Sequence, residues 1–372
     1  MTETLEKILV SGGGTGGHIM PAVALCEEIR EKYPSAKIYF AGRKNSMEER
    51  IAKQNGLDFY PVPSAPKGKG LRVFRNFFVN LAGFFKSLRL VAKTKPQAVA
   101  VFGGYTSAPL LLASVILGKN AVIHESNAIP GRVTRLMAKL GVRVACGLRS
   151  DHPLMTALKN SLKKENSFAI TGNPLRKTFR QPKKDLSEKL PGLDKSKDLL
   201  LIFGGSQGAH NVNALCSRAL PVVGKKFPEL QVVHICGGND RELLEKAYGD
   251  CGLKHWLFPF FEEMASLMDL ATLCVARSGA LSVTEICASR LPSVLVPLPC
   301  AADDHQTANA RILEAAGAAR LCPETSLDPE KLAGVITGLL SDREALRSMG
   351  EAGGALIFED ASRKLLDFIT AV

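Results

Sequence analysis

The sequence predicts an α/β protein of two similarly built domains, each a parallel sheet covered on both faces by helices. Three observations carry that expectation. At 372 residues the chain exceeds the size at which one hydrophobic core stops growing, so two domains are the default. Short, nearly all-apolar runs alternate with longer helical stretches along the chain, the order that gives parallel strands joined by helices. A strand running straight into a glycine-rich turn also occurs once near the start of each half, after Ser11 and after Phe203.

In chain order, the first half offers strands at Lys7–Ser11, Lys37–Ala41, Ala98–Phe102, Ala121–His124, Val142–Cys146 and Phe168–Ile170. The second half offers Leu199–Phe203, Gln231–Cys236, Trp256–Phe258, Leu273–Ala276 and Ser293–Val296. Between them Thr171-Gly172-Asn173-Pro174 is a turn-rich break and the expected hinge, which divides the chain into domains 1–174 and 175–354. Gln181–Lys197, charged and punctuated by Pro and Gly, is expected on the surface. A last helix near Ala355–Ala371, within residues 355–372, is expected to pack on one domain or the other; the sequence leaves the choice open.

With 46% apolar and 23% charged residues the chain reads as an ordinary folded protein, not as a disordered or fibrous one. Its nine cysteines are scattered without a CxxC pair, which points to reduced thiols filling the core and away from a disulfide frame or zinc site. No secretory leader is expected, because Met1–Lys7 carries acids and the apolar run after it breaks into glycines. Ala98–Gly118 is 21 residues without a charge, long enough to span a bilayer. Gly103-Gly104 and Pro109 interrupt it, so a buried strand, turn and core helix is the better reading.

The net charge of +12 is unevenly placed: Phe59 through His124 holds nine Lys or Arg and no acid. Within that stretch Leu71, Phe74, Phe78, Leu81, Phe85 and Leu88 step by three and four, one stripe of a helix, with Arg72, Arg75, Lys86, Arg89 and Lys93 largely off it. Two readings stand. The helix packs its stripe into the core behind a solvated basic face, or it lays a basic, Phe-rich surface on anionic lipid. Nucleic acid is not expected as a partner, since no RNA- or DNA-binding motif accompanies the charge.

Three motifs carry chemistry. Ser11-Gly12-Gly13-Gly14-Thr15-Gly16-Gly17-His18 follows the first strand and opens the first helix, where glycines admit a ligand to the backbone and free N–H groups suit an anion or a polar sugar. Gly12, Gly14 and Gly17 also fit the GxGxxG pattern, but Ala41-Gly42-Arg43 lacks the acid that a nicotinamide cofactor's ribose requires. The positive helix end should keep His18 neutral, as a general base must be. Phe203-Gly204-Gly205-Ser206-Gln207-Gly208-Ala209 repeats the architecture in the second half. In the third, Ala276 to Glu285, Ser278 is the expected helix cap and the next N–H groups a second place for phosphate, with Glu285 set to accept ribose hydroxyls. The acid pair Asp303-Asp304 raises a metal site only weakly, and none is expected.

Seven elements in order, from Leu9 to Gly317, give these motifs a family. They are the Gly12–His18 turn, Gly103-Gly104-Tyr105, His124-Glu125-Ser126-Asn127, Gly172-Asn173-Pro174-Leu175-Arg176, Gly204–Ala209, Arg277-Ser278-Gly279-Ala280 and Asp304-His305-Gln306-Thr307-Ala308-Asn309. The set resembles glycosyltransferase family 28, in particular its N-acetylglucosaminyltransferases that convert lipid I to lipid II in peptidoglycan synthesis. Two departures are Ser126, where Gln is common, and Pro299-Cys300-Ala301-Ala302, which lacks a lysine many relatives carry.

The resemblance implies the GT-B fold: two Rossmann-like domains with parallel sheets facing each other across a cleft, the first for acceptor and membrane, the second for UDP-GlcNAc. It implies that Ser206 and the helix start at Ala280, Leu281, Ser282, Val283 and Thr284 meet the diphosphate. Glu285 would hold the ribose, the backbone at Phe261 would face uracil, Arg176 would sit near the nucleotide, and His305 and Gln306 would bind GlcNAc. Thr15, Gly16, Gly17, Tyr105 and Asn127 would reach from the acceptor side, with His18 as first and Glu125 as second choice of base.

The implied reaction inverts the sugar, moving GlcNAc from UDP-GlcNAc to the C4 hydroxyl of the N-acetylmuramic acid of lipid I, without cofactor or metal. Implied partners are UDP-GlcNAc, lipid I and an anionic membrane surface on the cytoplasmic face of the plasma membrane, with room for cell-wall or cell-division proteins. The alternatives are a GT-B transferase with another lipid or small-molecule acceptor, and a UDP-GlcNAc 2-epimerase.

Overall fold

Ile8 and Val10 enter one apolar cluster while Leu9, between them, enters another. A strand whose alternate residues are both buried must lie in a sheet covered on both faces, and the chain builds two such sheets. The computed structural model describes residues 4–66, 72–104, 106–162, 164–181, 183–205 and 209–371. Tyr105 and Ser206, both expected in the site, and Leu71 of the Phe-rich stripe lie outside the described residues.

The chain divides into one unit of residues 1–177 and 358–372 and another of residues 178–357. In the first, the order is β1 (Lys7–Ser11), α1 (Gly16–Lys32), β2 (Lys37–Gly42), α2 (Met47–Gln54), β3 (Asp58–Pro61), α3 (Arg72–Thr94), β4 (Ala98–Val101), α4 (Ser107–Ile116), β5 (Asn120–Glu125), α5 (Arg132–Lys139), β6 (Arg143–Cys146), α6 (Pro153–Ser161) and β7 (Phe168–Ile170). Its seven strands are parallel in the order β3-β2-β1-β4-β5-β6-β7. The second unit continues with β8 (Leu199–Phe203), α7 (His210–Lys226), β9 (Gln231–Ile235), α8 (Arg241–Cys251), β10 (Lys254–Phe258), α9 (Met264–Leu270), β11 (Leu273–Ala276), α10 (Ala280–Ala288), β12 (Ser293–Leu295), α11 (His305–Ala315), β13 (Arg320–Leu321), α12 (Pro329–Leu340) and α13 (Arg343–Ala355). Its six strands are parallel in the order β10-β9-β8-β11-β12-β13.

Every expected strand is present within two residues of its expected ends. Two more exist, and both are weak in sequence. β3 holds an aspartate and a proline and sits on the sheet edge, and β13 has only two residues. The uncharged run Ala98–Gly118 contains β4, a glycine turn and α4. No helix among the described residues is long and apolar enough to cross a membrane.

Two expectations need correction. The break Thr171–Pro174 is buried within the first unit, and the change of unit falls at Lys177–Thr178. Gly172 has a positive φ of 84°, and a Cβ on it would lie 2.5 Å from that of Phe358, so the returning chain packs directly on this turn. The last helix, α14 (Ala361–Thr370), starts later than expected, and Leu365, Leu366 and Ile369 join the first unit's core.

For α3 the exposures exclude one of the two readings, the core-packed stripe. Its stripe does not face the core: Phe74, Phe77, Phe78 and Phe85 are 68%, 61%, 64% and 55% exposed. The buried face carries Asn76, Gly83, Ser87, Leu90 and Val91. Asn76 donates to Pro66 O at 2.9 Å, and Gly83 lies so close to the Pro63 carbonyl that a Cβ would be 2.0 Å from its oxygen.

Candidate functional site

In an open parallel sheet the crevice for ligands opens beside the carboxyl ends of the strands, where the strand order reverses. In the first unit that point lies between β1 and β4, and the two turns leaving them are Gly12–Gly17 and Gly103–Thr106. In the second it lies between β8 and β11, flanked by Gly204-Gly205 and Arg277–Gly279. Four motifs far apart in sequence are thus brought to two equivalent places.

In the first unit the two turns pack backbone to backbone. Gly13 N donates to Gly103 O at 3.3 Å, and Gly103 and Gly104 have φ of 89° and 87°. A Cβ on Gly104 would sit 2.2 Å from Gly13 O, so glycine is required for both contact and dihedral. Thr15 is the N-cap of α1 without a side-chain cap bond, and Gly16 and Gly17 form the first helical residues, partly exposed. His18, half-buried, places Nδ1 3.0 Å from Gly13 O. A carbonyl can only accept, so Nδ1 carries a proton, and Nε2 lies against Gly103, 3.0 Å from where a Cβ on that glycine would stand.

The His124–Asn127 element lies at the end of β5, next to β4 in the same sheet. Glu125 is buried with both oxygens engaged. Oε1 accepts from Asn127 N and Nδ2 at 3.1 and 3.3 Å, and Oε2 from Gly131 N and Thr134 Oγ1 at 2.8 and 2.7 Å. It ties the turn to the start of α5. His124 is buried, donating from Nε2 to Gly172 O at 3.0 Å, with Ser126 Oγ 3.4 Å from Nδ1. Burial pushes its imidazole down to about 4; the Gly172 carbonyl opposes this and nearby His18 adds to it. Ser126, the departure at the third place, therefore serves this buried pair. Arg176, partly buried, belongs to the first unit, and its neighbour Lys177 donates from its backbone to Glu27 Oε2 on α1 at 3.0 Å.

In the second unit Ser278 is not the cap of α10. Gly279 is, and Ser278 Oγ donates instead to Gln306 O at 2.9 Å. Gly279 has no side chain with which to cap α10, and Ala280, Leu281 and Ser282 form the first turn, where a helix presents the N–H groups that suit an anion. Val283 and Thr284 follow, buried, and Glu285 lies at 8% exposure, one turn past Leu281. Asn309 Nδ2 donates to Ser278 O at 3.0 Å, which stitches the Asp304–Asn309 motif to the Arg277–Ala280 motif. Gln306 Oε1 accepts from Leu298 N at 3.0 Å, and His305 Nδ1 donates to Ala302 O at 2.7 Å. Phe261 is buried, edge-on to Phe258 with ring centroids 4.9 Å apart.

Arg277, also buried, donates to Val296 O and Pro297 O at 3.1 and 3.0 Å and pairs with Glu324 at 2.5 Å. Its charge is therefore held inside the unit. Glu324 had no signal in the sequence; it stands alone in a short turn before α12. Equally silent was a chain that runs from the core to the surface: buried His234 bonds Tyr248 Oη and Asn213 Oδ1, Asn213 bonds Asp240, and Asp240 bonds exposed His210 at the start of α7.

Comparison with known proteins meets this geometry at full length. The N-terminal domain model of glycosyltransferase family 28 matches residues 8–146 and the C-terminal domain model residues 199–365. The chain is 34% identical to a UDP-N-acetylglucosamine--N-acetylmuramyl-(pentapeptide) pyrophosphoryl-undecaprenol N-acetylglucosamine transferase of Myxococcus xanthus, covering 98% of this chain and 92% of that protein. With the Chlorobium luteolum protein of the same name it shares 36% identity, over 96% and 97% of the two chains. The crystal structure of Acinetobacter baumannii MurG superposes with a TM-score of 0.76 at 29% identity, covering 99% of this chain and all of that one. A putative UDP-N-acetylglucosamine 2-epimerase of Listeria monocytogenes has a TM-score of 0.73 at 15% identity, a likeness of fold alone. With both domains matched and full-length relatives at this identity, the chain belongs to glycosyltransferase family 28.

Proposed function

We propose that this family 28 glycosyltransferase moves N-acetylglucosamine from UDP-GlcNAc to the C4 hydroxyl of N-acetylmuramic acid in lipid I, forming lipid II with inversion. The observation that carries the reading is agreement along nearly the whole chain with relatives named for that transfer. The residues supply matching chemistry. His18 takes the hydroxyl proton on Nε2, while Thr15, Gly16, Gly17 and Asn127 line the acceptor side. Glu125, already committed to four donors, holds the turn. A base in this role contributes ~10²–10⁴-fold.

On the donor side the uncapped start of α10 takes the diphosphate, each such contact contributing ~0.3–1 kcal/mol and up to ~2 when partly buried. Glu285 takes the ribose hydroxyls, the Phe261 backbone uracil, and His305 with Gln306 the sugar. The family resemblance puts Arg176 near the nucleotide, and we assign it to the charge growing on UDP.

The acceptor's polyprenyl chain lies in a bilayer, and α3 is built to meet it. Each of its four exposed phenylalanines would gain ~1.5–3 kcal/mol on burial, and each nearby Lys or Arg about 1 kcal/mol at an anionic surface. Arg75, Lys86, Arg89 and Lys93 are all exposed on the same helix. We assign this surface to peripheral attachment at the inner face of the plasma membrane.

The test is incubation with labelled UDP-GlcNAc and a short-chain lipid I analogue. A β-1,4-linked disaccharide lipid with release of UDP is the expected product. Release of UDP and N-acetylmannosamine from donor alone would instead make the protein an epimerase.

A further inference from the structure

The peptide plane between Gly13 and Gly14 is held at both ends. Its C=O accepts from His18 Nδ1 at 3.0 Å, and its N–H donates to Glu48 Oε1 at 2.8 Å. Glu48 is in the first turn of α2, and its side chain is buried in a notch lined by two glycines. A Cβ on Gly13 would lie 2.8 Å from Glu48 Oε1, and one on Gly42 2.8 Å from Glu48 Cβ. Arg43 Nε is 3.7 Å from Oε1, and Oε2 has no hydrogen-bond partner among the described residues. Gly14 has a φ of 88°, so this plane's orientation is one that only the glycine readily holds and a flip would reverse.

We propose that Glu48 is a positioning residue for His18, acting through a single peptide group. The carboxylate fixes the Gly14 N–H, which aims the Gly13 carbonyl at Nδ1, which in turn selects the tautomer whose basic nitrogen is Nε2. This is the orienting third member that a base requires, with an amide interposed between acid and imidazole. Hydrogen bonds in series polarise one another, so the buried carboxylate also strengthens the carbonyl as acceptor. The Gly14 N–H, which the glycine pattern alone would assign to a ligand, is thereby occupied. The inference deepens the assignment of His18 as base and rests on it for its effect on turnover, but not for its effect on the imidazole.

The experiment compares Glu48→Ala with Glu48→Gln, which keeps an acceptor oxygen in the same place. The nitrogen-15 spectrum of the His18 imidazole should show the Nδ1–H tautomer in the wild type and in Glu48→Gln, and a mixture in Glu48→Ala. Turnover with the lipid I analogue should fall about 10- to 100-fold in Glu48→Ala with an unchanged KM for UDP-GlcNAc, and recover to within about threefold in Glu48→Gln. An unchanged tautomer in folded Glu48→Ala overturns the proposal whatever happens to turnover. A lost tautomer with full turnover upholds the positioning and removes His18 from the chemistry. If Glu48→Ala does not fold, Glu48→Asp withdraws the carboxylate by one methylene and is judged by the same spectrum.

Discussion

At the scale of single residues, the first unit gives two motif histidines different surroundings. His124 is enclosed, donates to the Gly172 carbonyl and is neutral by burial. His18 is half-buried at a helix start, with its tautomer set by Gly13 O. Only the second can exchange a proton with a substrate. His18→Ala should therefore lower turnover by ~10²–10⁴-fold while leaving UDP-GlcNAc affinity within about twofold, measured by steady-state kinetics and by calorimetry with the donor. Near-wild-type turnover would take His18 out of the role. The same scale explains Glu125: a carboxylate accepting from four donors is a brace, and its place beside Asn127 in the motif does not make it a base.

Among elements, α3 shows how a periodic pattern can define a stripe and leave its direction open. Apolar residues at spacings of three and four define a stripe but not its direction. What turns it outward is the opposite face, where Asn76 donates to Pro66 O, Asn80 bonds the Ala65 backbone, and Gly83 presses against Pro63. Small and amide residues lock that face to the chain leading into the helix, which leaves the phenylalanines to solvent or lipid. Replacing Phe77, Phe78, Phe84 and Phe85 with Ser should abolish flotation with anionic vesicles without lowering the melting temperature by more than a few degrees. Vesicle binding equal to that of the wild type would refute the assignment of this face to lipid.

For the whole molecule, each unit carries one histidine kept neutral inside its core. Burial holds His124 down to about 4 and His234 down to about 3. In the unfolded chain both protonate near the ordinary value of 6.5, so below that pH the unfolded state binds protons that the folded state refuses. Stability is complete above pH 6.5 and falls as the pH drops toward 4. A gap of that size corresponds to roughly 3 kcal/mol for His124 alone. Urea unfolding at pH 7.5 and pH 4.5 should show the loss, and His124→Asn should lessen it. An equal acid dependence in that variant would point to other groups. Integrity of the first unit also depends on its last residues, since Leu365, Leu366 and Ile369 complete a core begun by Ile8 and Val10.

The sequence by itself determined the alternation of strands and helices, the doubling of the plan, and the glycine turns that carry the chemistry. These are local properties: apolar runs of strand length and glycines at strand ends read the same before and after folding. Tertiary structure decided what depends on neighbours remote in the chain. It chose the unit on which α14 packs, the direction of the α3 stripe, the pairing of Arg277 with Glu324, and the use of Ser278 as a tie to Gln306 in place of a cap. It also put Glu48 against Gly14, 34 positions away. A carboxylate in the first turn of a helix looks alike in sequence whether it meets water or another loop's peptide, and only the packing of the start of α2 against the turn that follows β1 distinguishes the two.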